Sequence, residues 1–376
     1  MKLQVLYKIS FICFCLYLFE IFFGDHQLNI SARKYDNDAA LCKKDYQNCM
    51  LNQLMDSVFN TGTYKGVILI AENGKTIFRK GYGISDIDSS SFTPEIAMQL
   101  ASISKPFTAT AIMILEERNL LSYEDDLSKF FPDLNYKGVK IKHLLNHTSG
   151  IPDYINQNWH FKKFTHKKEL VNNEDLLQHL IIYRPKQLFE AGKKHHYSNT
   201  GYALLASIIE NVSKQPFTEF MQQNIFDVAG MKNTFFYSKD RTLRMKRSKE
   251  PLDGILGDKG IFSTVDDMLA FDQALYEDKI ISQKTLKNAF KAQKTTKNED
   301  FNYGYGWRII ENKDTGELTV YHRGHWQGFN PMFMRFVSCN RSIISLHLPT
   351  GLDVWKLSGQ ITNIINDSEK YCFTHF

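Results

Sequence analysis

Strand-forming segments lie at both ends of the chain and helical ones between them, and this arrangement restricts the fold more than any other feature. Near the N-terminus, Gly66-Val-Ile-Leu-Ile-Ala71 and Lys75-Thr-Ile-Phe-Arg79 flank Glu72-Asn-Gly74. Two β-rich runs around Asn-Gly predict a hairpin, which Gly81 and Gly83 bring to an end. Near the C-terminus, Tyr305–Ile310 and Leu318–His322 flank the turn residues Asn312–Gly316. Phe333–Val337 and Ile343–Leu348 form another hairpin around Cys339-Asn340-Arg341, and Val354–Ile365 reads as a closing helix. Such runs bury their apolar faces most simply in one shared sheet. The expected fold is α/β (α+β): an antiparallel sheet built from both chain ends (46–100 and 300–376) and flanked by helices, with an inserted, mainly helical region (106–295).

The helical middle is read from its periodicity. Phe107, Ala111, Ile114 and Leu115 recur at helical spacing, and Ile112 and Met113 make that helix apolar on more than one side, as burial requires. Glu174–Ile182, Tyr202–Val212, Phe217–Asn224 and Val265–Tyr276 are further helical segments. Ahead of the first strand, Leu51, Leu54, Met55, Val58 and Phe59 line one face of an amphipathic helix.

The 376 residues are 43% hydrophobic, enough for a substantial core. Lys2 and Lys8 precede an apolar run, Ile9–Phe19, which Glu20 interrupts before Ile21-Phe-Phe23. A charged start and a short apolar core describe a secretory signal. The run is short for a membrane span of about 20 residues, yet Phe22 spoils the cleavage site. Residues 1–24 are therefore read as a signal peptide or an uncleaved anchor, with 5–23 as the tether to a membrane, 25–45 as a polar linker and 46–376 as a single domain. Either reading puts the domain outside the cytoplasm, periplasmic or extracellular. A net charge of +5 with no concentrated basic face argues against a nucleic-acid partner; the densest run, Lys239–Lys249, also carries Asp240. Cys42, Cys49, Cys339 and Cys372 allow three pairings, of which Cys42–Cys49 and Cys339–Cys372 are expected from proximity in sequence. No close Cys/His cluster suggests a metal, and no cofactor is implied.

Three short motifs follow one another: Ser102-Ile-Ser-Lys105, Tyr197-Ser-Asn199 and His322-Arg-Gly324. Each is weak alone. Ser31-Ala-Arg-Lys34 repeats the first, and Tyr35, Tyr46 and Tyr154 begin copies of the second. Context separates them, because Ser102 opens a long helical run and Ser31 lies in the polar linker. On a helix, residues i and i+3 share a face, which brings Lys105 to the Ser102 hydroxyl. A serine becomes a nucleophile when a base takes its proton, and a lysine serves as that base only when burial or nearby positive charge lowers its pKa.

With Leu144-Leu-Asn-His-Thr-Ser-Gly-Ile-Pro-Asp-Tyr154, Tyr197–Tyr202, Ile225-Phe226, Gly230-Met231, Gly257–Thr264 and Tyr303-Gly-Tyr-Gly-Trp307, these motifs resemble the serine β-lactamase and penicillin-binding superfamily. The similar branch holds class C β-lactamases, D-alanyl-D-alanine carboxypeptidases and related esterases, and the resemblance runs from about Asn60 to about Gly359. It implies a β-lactamase/transpeptidase-like fold, an acyl-enzyme on Ser102, Lys105 helping to deprotonate it, and Tyr197 shuttling protons as a phenolate or in concert with Lys105. Asn199 would orient Lys105 and the substrate amide, and His322 would border the site. Arg323, Gly324 and His325 would contact substrate, with the backbone N–H groups of Ser102 and His325 forming the oxyanion hole.

The third motif departs from the Lys-Thr-Gly usual in class C β-lactamases. His322 holds a carboxylate less firmly than lysine, which weakens the expectation of efficient lactam hydrolysis. Arg323 supplies charge only if it faces the site, and neighbouring strand residues face opposite ways. His325 and Trp326 stand where small residues are expected. His147, in the Leu144–Tyr154 stretch, reads as a structural, hydrogen-bonded histidine, and His195 and His196 as ordinary residues beside a motif. The expected substrates are amides, esters or lactams, small molecules or peptidoglycan-like peptides, turned over by a D,D-peptidase-like or esterase-like enzyme with weak β-lactamase activity. The alternative is a penicillin-binding or cell-wall-sensing module that acylates without turnover. Nothing in the sequence sets the oligomeric state.

Overall fold

The computed structural model describes residues 32–85, 89–155, 168–237, 251–292, 294–295, 302–312 and 316–374. The N-terminal apolar run, Ser31 and the basic run Lys239–Lys249 lie outside them. No described helix is long and apolar enough to cross a membrane. The chain divides into a main body, residues 48–363, and a second unit made of residues 1–47 and 364–376. The described part of the second unit is the beginning of the first helix and the end of the last.

In chain order the elements are α1 (Ala32–Asn60), β1 (Gly66–Glu72), β2 (Lys75–Tyr82), β3 (Met98–Gln99), α2 (Ser104–Glu117), α3 (Ile141–Leu145), α4 (Asn173–Tyr183), α5 (Asn199–Ser213), α6 (Phe217–Met221), α7 (Asp227–Ala229), β4 (Phe235–Phe236) and β5 (Ile261–Ser263). Then follow α8 (Val265–Tyr276), α9 (Gln283–Ala289), β6 (Lys294–Thr295), β7 (Asn302–Tyr303), β8 (Arg308–Glu311), β9 (Leu318–Arg323), β10 (Met332–Phe336), β11 (Arg341–His347) and α10 (Val354–Thr374). One antiparallel sheet runs β2-β1-β11-β10-β9-β8-β7-β6. Its seam is the β1–β11 pairing, from Gly66 opposite His347 to Glu72 opposite Arg341, where the two chain ends join as the pattern requires. The β1–β2 turn places Asn73 and Gly74 at φ 51° and 72°, the left-handed pair that Asn-Gly supplies at least cost.

The sheet's two faces have different partners. Val67, Leu69, Val320, Phe333, Ile344 and Leu346 point into the main core. The alternate residues lie on the other face, where the Tyr321 ring meets Trp355 edge-on at 4.8 Å. α2 is buried at every position from Ser104 to Leu115. Phe107 stacks on Phe271 of α8 at 3.9 Å, so α2 is wedged between the sheet side and the helical region. A second sheet of very short strands, β3-β5-β4, takes β4 and β5 from the stretch expected to be helical and β3 from the N-terminal stretch expected to be sheet.

Four expectations need correction. The linker is helical from Ala32, since no glycine or proline interrupts Ala32–Asn60. The helix expected over Phe217–Asn224 stops at Met221, and Gln222–Phe226 continue as a π turn. The strand expected from Tyr305 begins at Arg308, after Gly306 turns the chain with φ 83°. Neither expected disulfide forms, because Cys49 and Cys339 are free thiols. Cys42 and Cys49 share α1, and seven residues of helix put their backbones about 10 Å apart, beyond the reach of a disulfide.

One buried ion pair ties the sheet to α8. Arg335 of β10 donates to Asp272, and both side chains are wholly buried. Ser342 donates to the same carboxylate at 2.5 Å. The guanidinium lies over the rings of Tyr276, Phe290 and Trp307 at 4.6, 5.5 and 5.6 Å. Removing one partner of such a pair strands the other charge and costs about 3–5 kcal/mol. Asp272→Ala is therefore expected to lower the denaturant midpoint sharply; a midpoint within error of the parent would show that the pair does not anchor α8.

Candidate active site

Ser102 lies in a single 3-10 turn, Ala101–Ile103, immediately before α2. The turn is delivered by β3, and Leu100 N–H donates to Ile261 O of β5 at 2.9 Å. Ala101 takes a left-handed φ of 48°, a strained conformation for a residue with a Cβ and one that clusters at functional sites. Lys105, one turn on, is completely buried. Its Nζ contacts Ser102 Oγ at 3.1 Å, Asn199 Oδ1 at 2.7 Å and Asp258 O at 3.0 Å.

These three partners differ in what they can do. Two are carbonyl oxygens, which only accept; the Ser102 hydroxyl alone can donate. A neutral Lys105 keeps two N–H bonds for the carbonyls and turns its lone pair to Ser102. Burial pulls the Lys105 pKa down to about 8, opposed by Asp258 and Asp153 and assisted by Arg308. A minor free-base fraction thus exists at neutral pH and grows steeply through about pH 8.

The second motif is held from behind. Asn199 is the first residue of α5. Asp153 accepts from its backbone N at 3.0 Å and from its Nδ2 at 2.8 Å. That bond turns Oδ1 toward Lys105 and places a carboxylate at a helix N-terminus, where it is favoured. Tyr197 hydrogen-bonds Ser102, and burial drives its phenol pKa well up. The Lys105 ammonium lies 4.9 Å from the Tyr197 ring and the Arg308 guanidinium 5.9 Å. Of the two states the resemblance allows Tyr197, burial favours the neutral phenol acting with Lys105.

The third motif is placed less simply. His322 is fully buried, and burial together with Arg308 and Lys105 holds its pKa well below the usual imidazole value. Its Nδ1 donates to Arg323 O at 2.8 Å, which leaves Nε2 to accept from Tyr303 Oη at 3.1 Å. Tyr303 in turn accepts from His147 Nε2 at 3.1 Å, while His147 Nδ1 accepts from Ser198 N–H at 3.2 Å. Backbone groups at both ends set the tautomers of this chain. His147 is thus structural, as expected, and its ring also lies 4.2 Å from that of Tyr197. His195 packs behind it, 5.6 Å from Tyr303.

With both nitrogens engaged, His322 is not free to grip a substrate carboxylate. Arg323 is not either. It shares a register row with Met332 and Ser345, on the sheet face opposite His322. Gly324 is buried against the turn that carries Ser102; a Cβ there would meet Leu100 O at 2.5 Å and Ala101 Cβ at 2.9 Å. His325 is exposed beyond it.

Sequence reasoning gave no roles to Asp153, Asp258, Lys259, Tyr303 or Arg308. The first four lie inside the quoted family stretches, and charge within those glycine-rich or apolar runs was the available signal. Arg308 had none, because its place beside Tyr197 depends on chain folding.

The Beta-lactamase family profile matches residues 51–344. Penicillin-binding protein 4* of Bacillus subtilis (strain 168) is 33% identical over 322 residues, which covers 79% of this chain and 70% of that protein. The octameric penicillin-binding protein homologue from Pyrococcus abyssi superposes with a TM-score of 0.69 at 25% identity, covering 80% of this chain and 74% of that one. D-amino acid amidase from Ochrobactrum anthropi SV3, in complex with L-phenylalanine amide, has the same fold, with a TM-score of 0.71 at 19% identity over 86% of this chain and 99% of the amidase.

Two expectations follow from the geometry. With Lys105 as the base, acylation needs it uncharged, so its rate should rise with pH through about 8 and level off above. Lys105→Arg, charged at every accessible pH, should lose about 10²–10⁴ in rate. A stopped-flow pH profile flat from 6 to 9 would remove Lys105 as the base. Gly324→Ala should push the third-motif strand away from the serine turn and lower kcat by about 10–100-fold, the scale of a displaced site, with the circular dichroism spectrum retained. Full activity in that variant would show that the close approach is dispensable.

Proposed function

The chain belongs to the β-lactamase family of serine hydrolases, and we propose that within it the protein is a D,D-peptidase-like or esterase-like enzyme that works through an acyl-enzyme on Ser102. The observation that carries this reading is the set of partners of Lys105, among which the Ser102 hydroxyl alone is able to donate a hydrogen bond. Lys105 takes the serine proton, and Oγ attacks the substrate carbonyl. The backbone N–H groups of Ser102 and His325 receive the oxyanion. Tyr197, kept protonated by burial, gives its proton to the leaving amine or alcohol and regains one from Lys105. Water then repeats the sequence in reverse and frees the acid.

The substrate is argued from the charges around the nucleophile. Lys105 and Lys259 are committed to internal partners, His322 is neutral, and Arg323 lies on the far sheet face. The Arg308 guanidinium lies 5.9 Å from the Tyr197 ring. Tyr197 serves the leaving group, so the reading favours leaving groups that carry an anion, as a C-terminal D-amino acid does. This places a small peptide or acyl amino acid ahead of a neutral ester.

The test is intact-mass spectrometry after incubation with a reactive penicillin, beside Ser102→Ala. An adduct mapping to Ser102 and absent from the variant is expected. Arg308→Gln should narrow any preference for an anionic over a neutral ester by about 10–100-fold, the worth of a charge-assisted hydrogen bond. No adduct, an intact penicillin and no turnover of either ester would sink the reading.

A further inference from the structure

Beyond the three motifs, a second buried cluster reaches the nucleophile through Asp258. The loop that carries this residue is pinned to α2 twice, by Lys105 Nζ on Asp258 O at 3.0 Å and by Thr108 Oγ1 on Gly257 O at 2.7 Å. The next residue, Lys259, is only 3% exposed. Its Nζ donates to Tyr154 Oη at 2.5 Å and to Ile255 O at 3.3 Å, and pairs with Asp258 Oδ1 at 3.5 Å. Tyr154 Oη donates to Asp258 Oδ2 at 2.9 Å. The ammonium also lies 5.1 Å from the ring centroid of Trp326.

Trp326 is thereby held on its face and on its edge. The face stacks on Lys259, a cation–π contact strengthened by the dry surroundings. The edge is fixed by Nε1, which donates to Asp253 Oδ1 at 2.8 Å, from an aspartate only 1% exposed. The backbone is fixed as well. Trp326 and Phe329 exchange hydrogen bonds at 3.1 and 2.9 Å across a two-residue turn, with Gln327 and Gly328 at φ 47° and 81°. The ring thus hangs from a tight hairpin two residues beyond Gly324, which packs against the backbone of the Ser102 turn. It is half-buried, so part of its surface stays open.

The side of the site is set by the chemistry proposed above, on which this inference rests. A carbonyl seated at Ser102 directs its leaving group to Tyr197, the proton donor, and its acyl chain away from Tyr197. The cluster reaches the site through Asp258 O on Lys105 Nζ, while Lys259 and Trp326 themselves bond and stack with Tyr154, Asp253 and each other rather than with Tyr197. We propose that Trp326, pinned by Asp253 and Lys259, is the wall that limits the size of the acyl group transferred to Ser102. The enzyme then takes short acyl chains, and the ring cannot swing aside for longer ones because both its face and its N–H are committed.

The experiment is a series of p-nitrophenyl esters from acetyl to octanoyl, with kcat/KM measured for the full chain, Trp326→Ala, Trp326→Phe and Asp253→Ala. The unaltered chain should fall off steeply as the acyl chain lengthens. Trp326→Ala should raise the octanoyl-to-acetyl ratio by at least about tenfold, the usual worth of a methylene or more in a shaped pocket. Asp253→Ala and Trp326→Phe, which free the ring edge, should move the ratio in the same direction by less, and they decide the matter if Trp326→Ala does not fold. A profile that shifts up or down in parallel for every ester, with its shape unchanged, overturns the inference, because a purely structural role changes level and not selectivity. If the unaltered chain turns over no ester and acquires no acyl group on Ser102, the hydrolase reading fails first and this inference fails with it.

Discussion

Everything around the proposed nucleophile depends on one primary amine being kept dry. Lys105 has no exposed surface, and an ammonium in that state is costly unless each of its protons finds an oxygen. Three oxygens are provided, and their backing is what the surrounding chain is arranged to supply. Asn199 offers its carbonyl because Asp153 has claimed its amide. Asp258 offers its backbone oxygen because Gly257 lets the loop approach α5 so closely that a Cβ would meet Tyr202 O at 2.4 Å. Ser102 is presented by a strained turn at the head of a helix buried along three of its turns. Dryness also tunes the base, since the burial that makes the ammonium expensive brings its pKa down to about 8.

The same economy of charge runs through the rest of the site. Asp153 and Asp258 stabilise the Lys105 ammonium while Arg308 opposes it, so the balance of these three sets the free-base fraction. The imidazoles nearby are kept out of that balance. His147 and His322 are locked through Tyr303 in complementary neutral tautomers, and burial lowers the pKa of each. Protonating either would put a third positive charge close to Lys105 and Arg308. In the proposed mechanism Lys105 is therefore the group whose proton moves, and the tyrosine–histidine chain supplies orientation without charge.

Hydrophobic pattern made most of the large sheet and the long helices legible, because strands of four or more residues and helices of three turns repeat their period often enough to be read. β3, β4 and β5 have two or three residues each, too few for any period, and so the small sheet that carries Ser102 was invisible. Polarity misled at Ala32–Lys44, where composition suggested a linker and uninterrupted helix formers made a helix. Proximity in sequence misled for the cysteines, since a helix separates neighbours that a loop would bring together. At the site, Ser102, Lys105, Tyr197 and Asn199 come together as their motifs imply. Alternation along β9 correctly warned about Arg323, yet it could not point to Arg308, which reaches Tyr197 from a different strand.

The closed surroundings of His322 explain why a histidine suits this position, where class C β-lactamases usually carry lysine. Position 322 is closed on both sides, by Tyr303 at Nε2 and by a backbone carbonyl at Nδ1. A lysine there would bring a further ammonium into a region already holding Lys105, Lys259 and Arg308, with no carboxylate hydrogen-bonded at that point to receive it. Its desolvation would be uncompensated, and its repulsion would disturb the base it borders. Neutral imidazole fills the place with two satisfied hydrogen bonds and no charge. In the proposed reading, recognition of an anionic leaving group falls to Arg308, which lies beside the tyrosine proposed to protonate that same group.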